Sequence, residues 1–127
     1  MFLDFCYATS SASILVIDDE LPILAMLKIN LTRNGFIVDT AQSGEEGLNK
    51  IDSNEYNLIL TDMQMSGISG NQILDHVKDC KKNSIPVVGM SGTPCLLNQE
   101  KFDAILSKPS SLKNALTVIN KLIRQAA

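Results

Sequence analysis

The stretch Ile14-Leu15-Val16-Ile17-Asp18-Asp19-Glu20 sets four consecutive apolar residues directly before three carboxylates. A short run rich in β-branched residues fits a strand buried on both faces, and its abrupt acidic end fits the point where the chain leaves a sheet. Four comparable runs follow, at Phe36-Ile37-Val38, Leu58-Ile59-Leu60, Pro86-Val87-Val88 and Ala104-Ile105-Leu106. Helical periods lie between them. Ile23, Leu24, Leu27 and Leu31 share one face of a helix that tolerates Pro22 near its start and stops at Asn34-Gly35. Ser43 can cap a second helix that turns Leu48 and Ile51 inward, and a third is expected from about Ser69 to Lys82 around Ile73, Leu74 and Val77. The last, after Pro109, uses Leu112, Ala115, Leu116, Ile119, Leu122 and Ile123. Strands alternating with helices imply βαβ units, a parallel sheet with right-handed crossovers, and helices on both of its faces.

The composition is that of one globular domain. With 127 residues, 45% hydrophobic and 20% charged, the chain can bury a real core without disulfide or metal staples. A net charge of −3 without a basic run disfavours direct contact with nucleic acid. Cys6, Cys80 and Cys95 are odd in number and scattered, which fits neither a disulfide framework nor a zinc pattern and points to a reducing, cytoplasmic setting. No apolar run approaches the roughly 20 residues of a membrane span. Residues 1–12 are apolar but carry Asp4 and no basic start, so they read as a short extension rather than a signal peptide, leaving residues 13–127 as the domain.

Polar residues stand at the carboxyl ends of these strands: Asp18, Asp19 and Glu20 after the first, Asp62 after the third, Ser91 after the fourth and Lys108 after the fifth. Turns favour Asp and Ser on their own account. Four strand ends together carry more, because ligands of open α/β sheets bind outside the carboxyl ends, where the strand order reverses. Carboxylates meeting there repel one another unless a cation lies among them. Oxygen-only ligands without a His/Cys cluster favour magnesium over zinc. Lys108 offers a point charge for a phosphoryl oxygen and Ser91 a hydroxyl donor. The set describes a site for one phosphoryl group, with a carboxylate attacking in line.

The segments VIDDE (16–20), LILTDMQMSGISG (58–70), VVGMSG (87–92) and LSKP (106–109), in this order, resemble the receiver domain of two-component response regulators. The resemblance implies a flavodoxin-like, doubly wound α/β fold with a five-stranded sheet in the order 2-1-3-4-5. It also implies that Asp62 is the phosphoacceptor, that Asp19 binds Mg2+ directly and Asp18 through water, and that the Gln64 carbonyl is a further ligand. Ser91 then matches the switch hydroxyl and Lys108 the lysine that pairs with the phosphoryl group, while Gly92 leaves space for the donor. The implied donor is a phosphohistidine on a sensor histidine kinase or phosphotransfer protein, and the output is altered affinity for a downstream protein partner. His76, without a metal or acid-base partner in spacing, is expected to be a surface or packing residue.

Three departures from the family pattern stand out. Ile105 occupies the position, three before the lysine, where receivers usually carry an aromatic residue, and neither Tyr56 nor Phe102 is in register to replace it. Ser66 stands where proline is common. The segment from Ser91 to Lys108 is short enough to predict a stunted fourth helix. The expectation is a stand-alone receiver, monomeric or weakly dimeric, that catalyses only its own phosphorylation and dephosphorylation. The alternative is a phosphorylation-independent interaction module. A magnesium-dependent phosphatase is disfavoured because Gln64 stands where such enzymes need a second Asp.

Overall fold

A computed structural model describes residues 12–79, 84–92, 101–108 and 112–126. Five parallel strands, β1 (Ser13–Ile17), β2 (Ile37–Ala41), β3 (Leu58–Asp62), β4 (Val87–Ser91) and β5 (Ala104–Ser107), lie in the order β2-β1-β3-β4-β5. The helices α1 (Leu21–Arg33), α2 (Gly44–Ser53), α3 (Gly70–Asp79) and α4 (Leu112–Ala126) complete the doubly wound, flavodoxin-like architecture. The expected stunted helix between Ser91 and Lys108 would fall within residues 93–100, outside the described residues. The same holds for residues 1–11 and for the expected end of α3 at Lys82.

Side-chain alternation along the strands builds two cores. Ile14 and Val16 of β1 face one side, where Leu24, Leu27 and Leu31 of α1 and Ala115 and Ile119 of α4 cover the sheet. Leu15 and Ile17 face the other, under Ile51 of α2 and Ile73, Leu74 and Val77 of α3. The three inner strands are buried on both faces, as their unbroken apolar runs predict. The two outer ones are not. Ile37 at the start of β2 is largely exposed, because an edge strand has a neighbour on one side only. β2 also runs later than its apolar run, through Asp39 and Thr40 to Ala41, so as to stay in register with Leu15, Val16 and Ile17. Ala12 joins the ladder too, its carbonyl accepting from the Ile37 N–H at 2.9 Å.

Local signals place the helices. The Ser43 hydroxyl accepts the Glu46 N–H at 3.1 Å and so caps α2. Before α3, the Gln72 side chain accepts the Ser69 N–H while the Ser69 hydroxyl accepts the Gln72 N–H, a reciprocal capping pair. α1 ends at Arg33, and Gly35 takes the positive φ of 95° that turns the chain into β2.

Edge strand β2 is fastened by a polar cluster. Lys50 of α2 donates to Asp39 Oδ1 at 2.9 Å and to the Thr40 carbonyl at 2.6 Å, and the hydroxyl of the buried Tyr56 donates to Asp39 Oδ2 at 2.7 Å. Burial acts to raise the Asp39 carboxyl, but the hydrogen bonds from Lys50 and Tyr56, the Lys50 charge and the Thr40 N–H outweigh it and hold the group below its ordinary value. The stabilisation is therefore present above the unfolded value of about 4 and is lost as pH falls through the depressed folded value. Asp39→Asn should lose less stability than wild type between about pH 6 and pH 2, read from urea midpoints.

Gly70 opens α3 against the end of β3. A Cβ there would stand 2.7 Å from Met63 Cα and 2.8 Å from the Asp62 carbonyl oxygen, both backbone atoms that cannot turn aside. Gly70→Ala should cost about 1–3 kcal/mol despite its better helix propensity, measured by chemical denaturation.

Candidate functional site: a lysine among three carboxylates

The strand order reverses between β1 and β3, and the carboxyl ends of these two central strands carry Asp18 and Asp62. The Asp18 N–H still bonds to the Ala41 carbonyl at 3.1 Å, so the residue continues the ladder and is fully buried. Asp62 is the last residue of β3, paired with Met90, and is 4% exposed. Ser91 ends β4 and is buried, and its carbonyl accepts the Lys108 N–H at 2.8 Å. That bond sets the backbone of Lys108 at the sheet edge just beyond β5.

The Lys108 ammonium gathers the site. Its Nζ lies 2.9 Å from Asp18 Oδ2, 3.1 Å from Glu20 Oε1 and 3.2 Å from Asp62 Oδ2. Oxygens of these three carboxylates fall within 4.8 Å of one another, the one such acidic grouping among the described residues. Asp18 Oδ1 accepts the Glu20 N–H at 2.9 Å, and Asp62 Oδ1 accepts the Gln64 N–H at 3.2 Å. Asp18 Oδ2 is paired with the lysine by charge but accepts no well-aligned hydrogen bond, so a buried oxygen is left incompletely satisfied.

The electrostatics follow from burial and neighbours. Desolvation raises the Asp18 carboxyl above its ordinary value, the Asp62 charge adds to this, and the Glu20 N–H and Lys108 oppose it. For Lys108, burial alone acts downward, yet the close contacts with the Asp18, Glu20 and Asp62 carboxylates hold the ammonium well above its ordinary value. Three carboxylates against one ammonium leave two formal negative charges. An all-oxygen set of that charge, including one unsatisfied buried oxygen, fits a hard divalent cation.

The structure thus brings Asp18, Asp62 and Lys108 together, with Ser91 on the adjoining strand end. Asp19 is different. It is exposed and lies outside the acidic grouping, whose third carboxylate is that of Glu20. The sequence places Glu20 at this strand end beside Asp18 and Asp19 but singles out no role for it. Gln64 is exposed beyond β3, its N–H turned to Asp62. No described atom would touch a Cβ on Gly92, which keeps open space beside Ser91. His76 lies elsewhere, its Nε2 2.7 Å from Asp52 Oδ1, joining α3 to α2. Tyr56 serves the Asp39 cluster, and Phe102 and Ile105 pack with the core on the α2/α3 side.

An apolar groove of about 470 Å³ opens next to the site between α1 and α4. Leu60, Met90 and Leu106 are among its lining residues, and so are Glu20 and Lys108. No helix among the described residues is long and apolar enough to cross a membrane.

Comparison with known proteins agrees with this geometry. "Transcriptional regulatory protein ResD" of Bacillus subtilis is 28% identical over 124 residues, covering 94% of this chain and 51% of ResD, so the chain spans about half the length of that relative. Among solved structures, a Francisella response regulator receiver domain superposes with a TM-score of 0.82 at 26% identity, covering 92% of this chain and 100% of that one. Response regulator protein TrrA from Thermotoga maritima, solved in complex with Mg2+-BeF, gives 0.80 at 31% identity, covering 87% and 98%. The model of the response regulator receiver domain matches residues 14–120. With that match spanning most of the sheet and every residue of the lysine-centred site, the chain belongs to the receiver domain family of two-component response regulators.

Proposed function

We propose that Asp62 accepts a phosphoryl group from a phosphohistidine of a sensor kinase or phosphotransfer protein, in a Mg2+-dependent step, and that the phosphorylated form has altered affinity for a protein partner. The observation that carries this reading is the Asp62 carboxylate itself, nearly buried at the end of the central strand, 3.2 Å from the Lys108 ammonium and grouped with two further carboxylates. The Mg2+-BeF complex of TrrA supports it, since that relative holds the cation together with a beryllium fluoride group.

In the transfer, an Asp62 oxygen forms a bond to phosphorus as the donor's P–N bond breaks, and the electron pair of that bond leaves with the imidazole nitrogen. Asp18 and Asp62 would offer buried carboxylate oxygens for the cation, with the Asp19 carboxylate and Gln64 carbonyl as further ligands that the family resemblance implies. When bound, the cation would supply positive charge against the phosphoryl oxygens. Lys108 gives up its contact with Asp62 and pairs with one of those oxygens. The Ser91 hydroxyl donates to another. Movement of Ser91 toward the new anion biases β4 and the loop after it between two arrangements, which is the switch. The chain catalyses only its own phosphorylation and dephosphorylation, and the scattered cysteines fit a cytoplasmic setting.

Incubation with Mg2+ and acetyl phosphate should add one phosphoryl group per chain by intact mass, and none to Asp62→Asn. Absence of an adduct on the wild-type protein would sink the reading. Ser91→Ala should still be phosphorylated, but its amide shift changes should stay near Asp62, whereas those of wild type spread through β4. Equal spread in both would show that the switch runs through another group.

A further inference from the structure

Glu20 joins two parts of the molecule that are far apart in sequence. Its carbonyl accepts the N–H groups of Ile23 and Leu24, both at 3.1 Å, and so starts α1. Its own N–H is held by Asp18 Oδ1. With the backbone tied at both sides, only the side chain is free to move, and its carboxylate, 59% exposed, reaches the ammonium of Lys108, 88 positions later. Of the three carboxylates around Lys108, Asp18 and Asp62 are buried and Glu20 alone faces solvent.

A divalent cation and Lys108 compete for the same two buried carboxylates. Both cannot stay between Asp18 and Asp62, since like charges a few ångström apart repel strongly where water is excluded. We propose that Glu20 is a positioning residue for Lys108: its carboxylate holds the ammonium at the solvent side when Asp18 and Asp62 turn to the cation. The lysine thereby stays beside the acceptor, ready for a phosphoryl oxygen, instead of swinging into solvent. The charges agree with this role. Once Asp18 and Asp62 face the cation, the Glu20 carboxylate is the remaining partner 3.1 Å from the ammonium.

This inference rests on the Mg2+-binding phosphoacceptor reading, and the experiment separates the two. Mg2+ dissociation constants would be measured by amide NMR titration for wild type, Glu20→Gln, Lys108→Met and the double variant. Glu20→Gln should weaken binding by about 2- to 5-fold, the scale of an exposed ion pair, and should change it little once Lys108 is Met. An equal loss in both backgrounds would mean that Glu20 acts on the cation directly, and no loss in either would remove its role; both overturn the proposal. Should Lys108→Met fail to fold, the Lys108 ammonium resonance gives the same decision. With saturating Mg2+ it should remain protected from exchange in wild type and lose that protection in Glu20→Gln, and identical behaviour would overturn the proposal. Failure of wild type to bind Mg2+ refutes the phosphoacceptor reading instead.

Discussion

The Lys108 ammonium is what allows two buried carboxylates to stand together at the ends of β1 and β3. Asp18 is fully buried and Asp62 nearly so, and each would be costly alone in that setting. One cation within 2.9–3.2 Å of both offsets part of that cost, and the Asp18 carboxyl nonetheless stays raised. The site is therefore held in an incompletely compensated state. That state is also what makes it receptive, because the surplus negative charge and the unsatisfied Asp18 oxygen attract a further cation.

Everything that aims Lys108 comes from the sheet. β5 is bonded to β4, β4 to β3 and β3 to β1, and the Ser91 carbonyl fixes the Lys108 N–H at the edge where these strands end. The apolar faces pack under α1 and α4 on one side and α2 and α3 on the other, so the strand ends share one rigid platform. Gly70 permits the close approach of α3 to the backbone of Asp62 and Met63. At the far edge, Asp39, Lys50 and Tyr56 tie β2 to α2 and to the start of β3, where apolar contact on one face alone would leave the strand loosely held.

Much of this was legible in the residues. Unbroken apolar runs located β1, β3 and β4 because strands buried on both faces need them. β2 was read too early, since an edge strand can carry Asp39 and Thr40 and its true span is set by the partner's register. The polar strand ends gathered Asp18, Asp19, Glu20, Asp62, Ser91 and Lys108 at one edge, since a parallel sheet places its carboxyl ends there. Glu20 had no role of its own in the sequence for a physical reason: three adjacent acids look equivalent in one dimension, and only the folded backbone beyond β1 separates Glu20, inside the acidic grouping, from Asp19, outside it.

The sequence by itself determined the alternation of strand and helix, the two apolar faces and the residue types at each strand end, because these follow from periodicity and local chemistry. Tertiary structure alone decided which carboxylates share the lysine and at what distances. A contact spanning 88 residues depends on the register of four strands and the direction of single side chains, and neither is written in any local stretch of the chain.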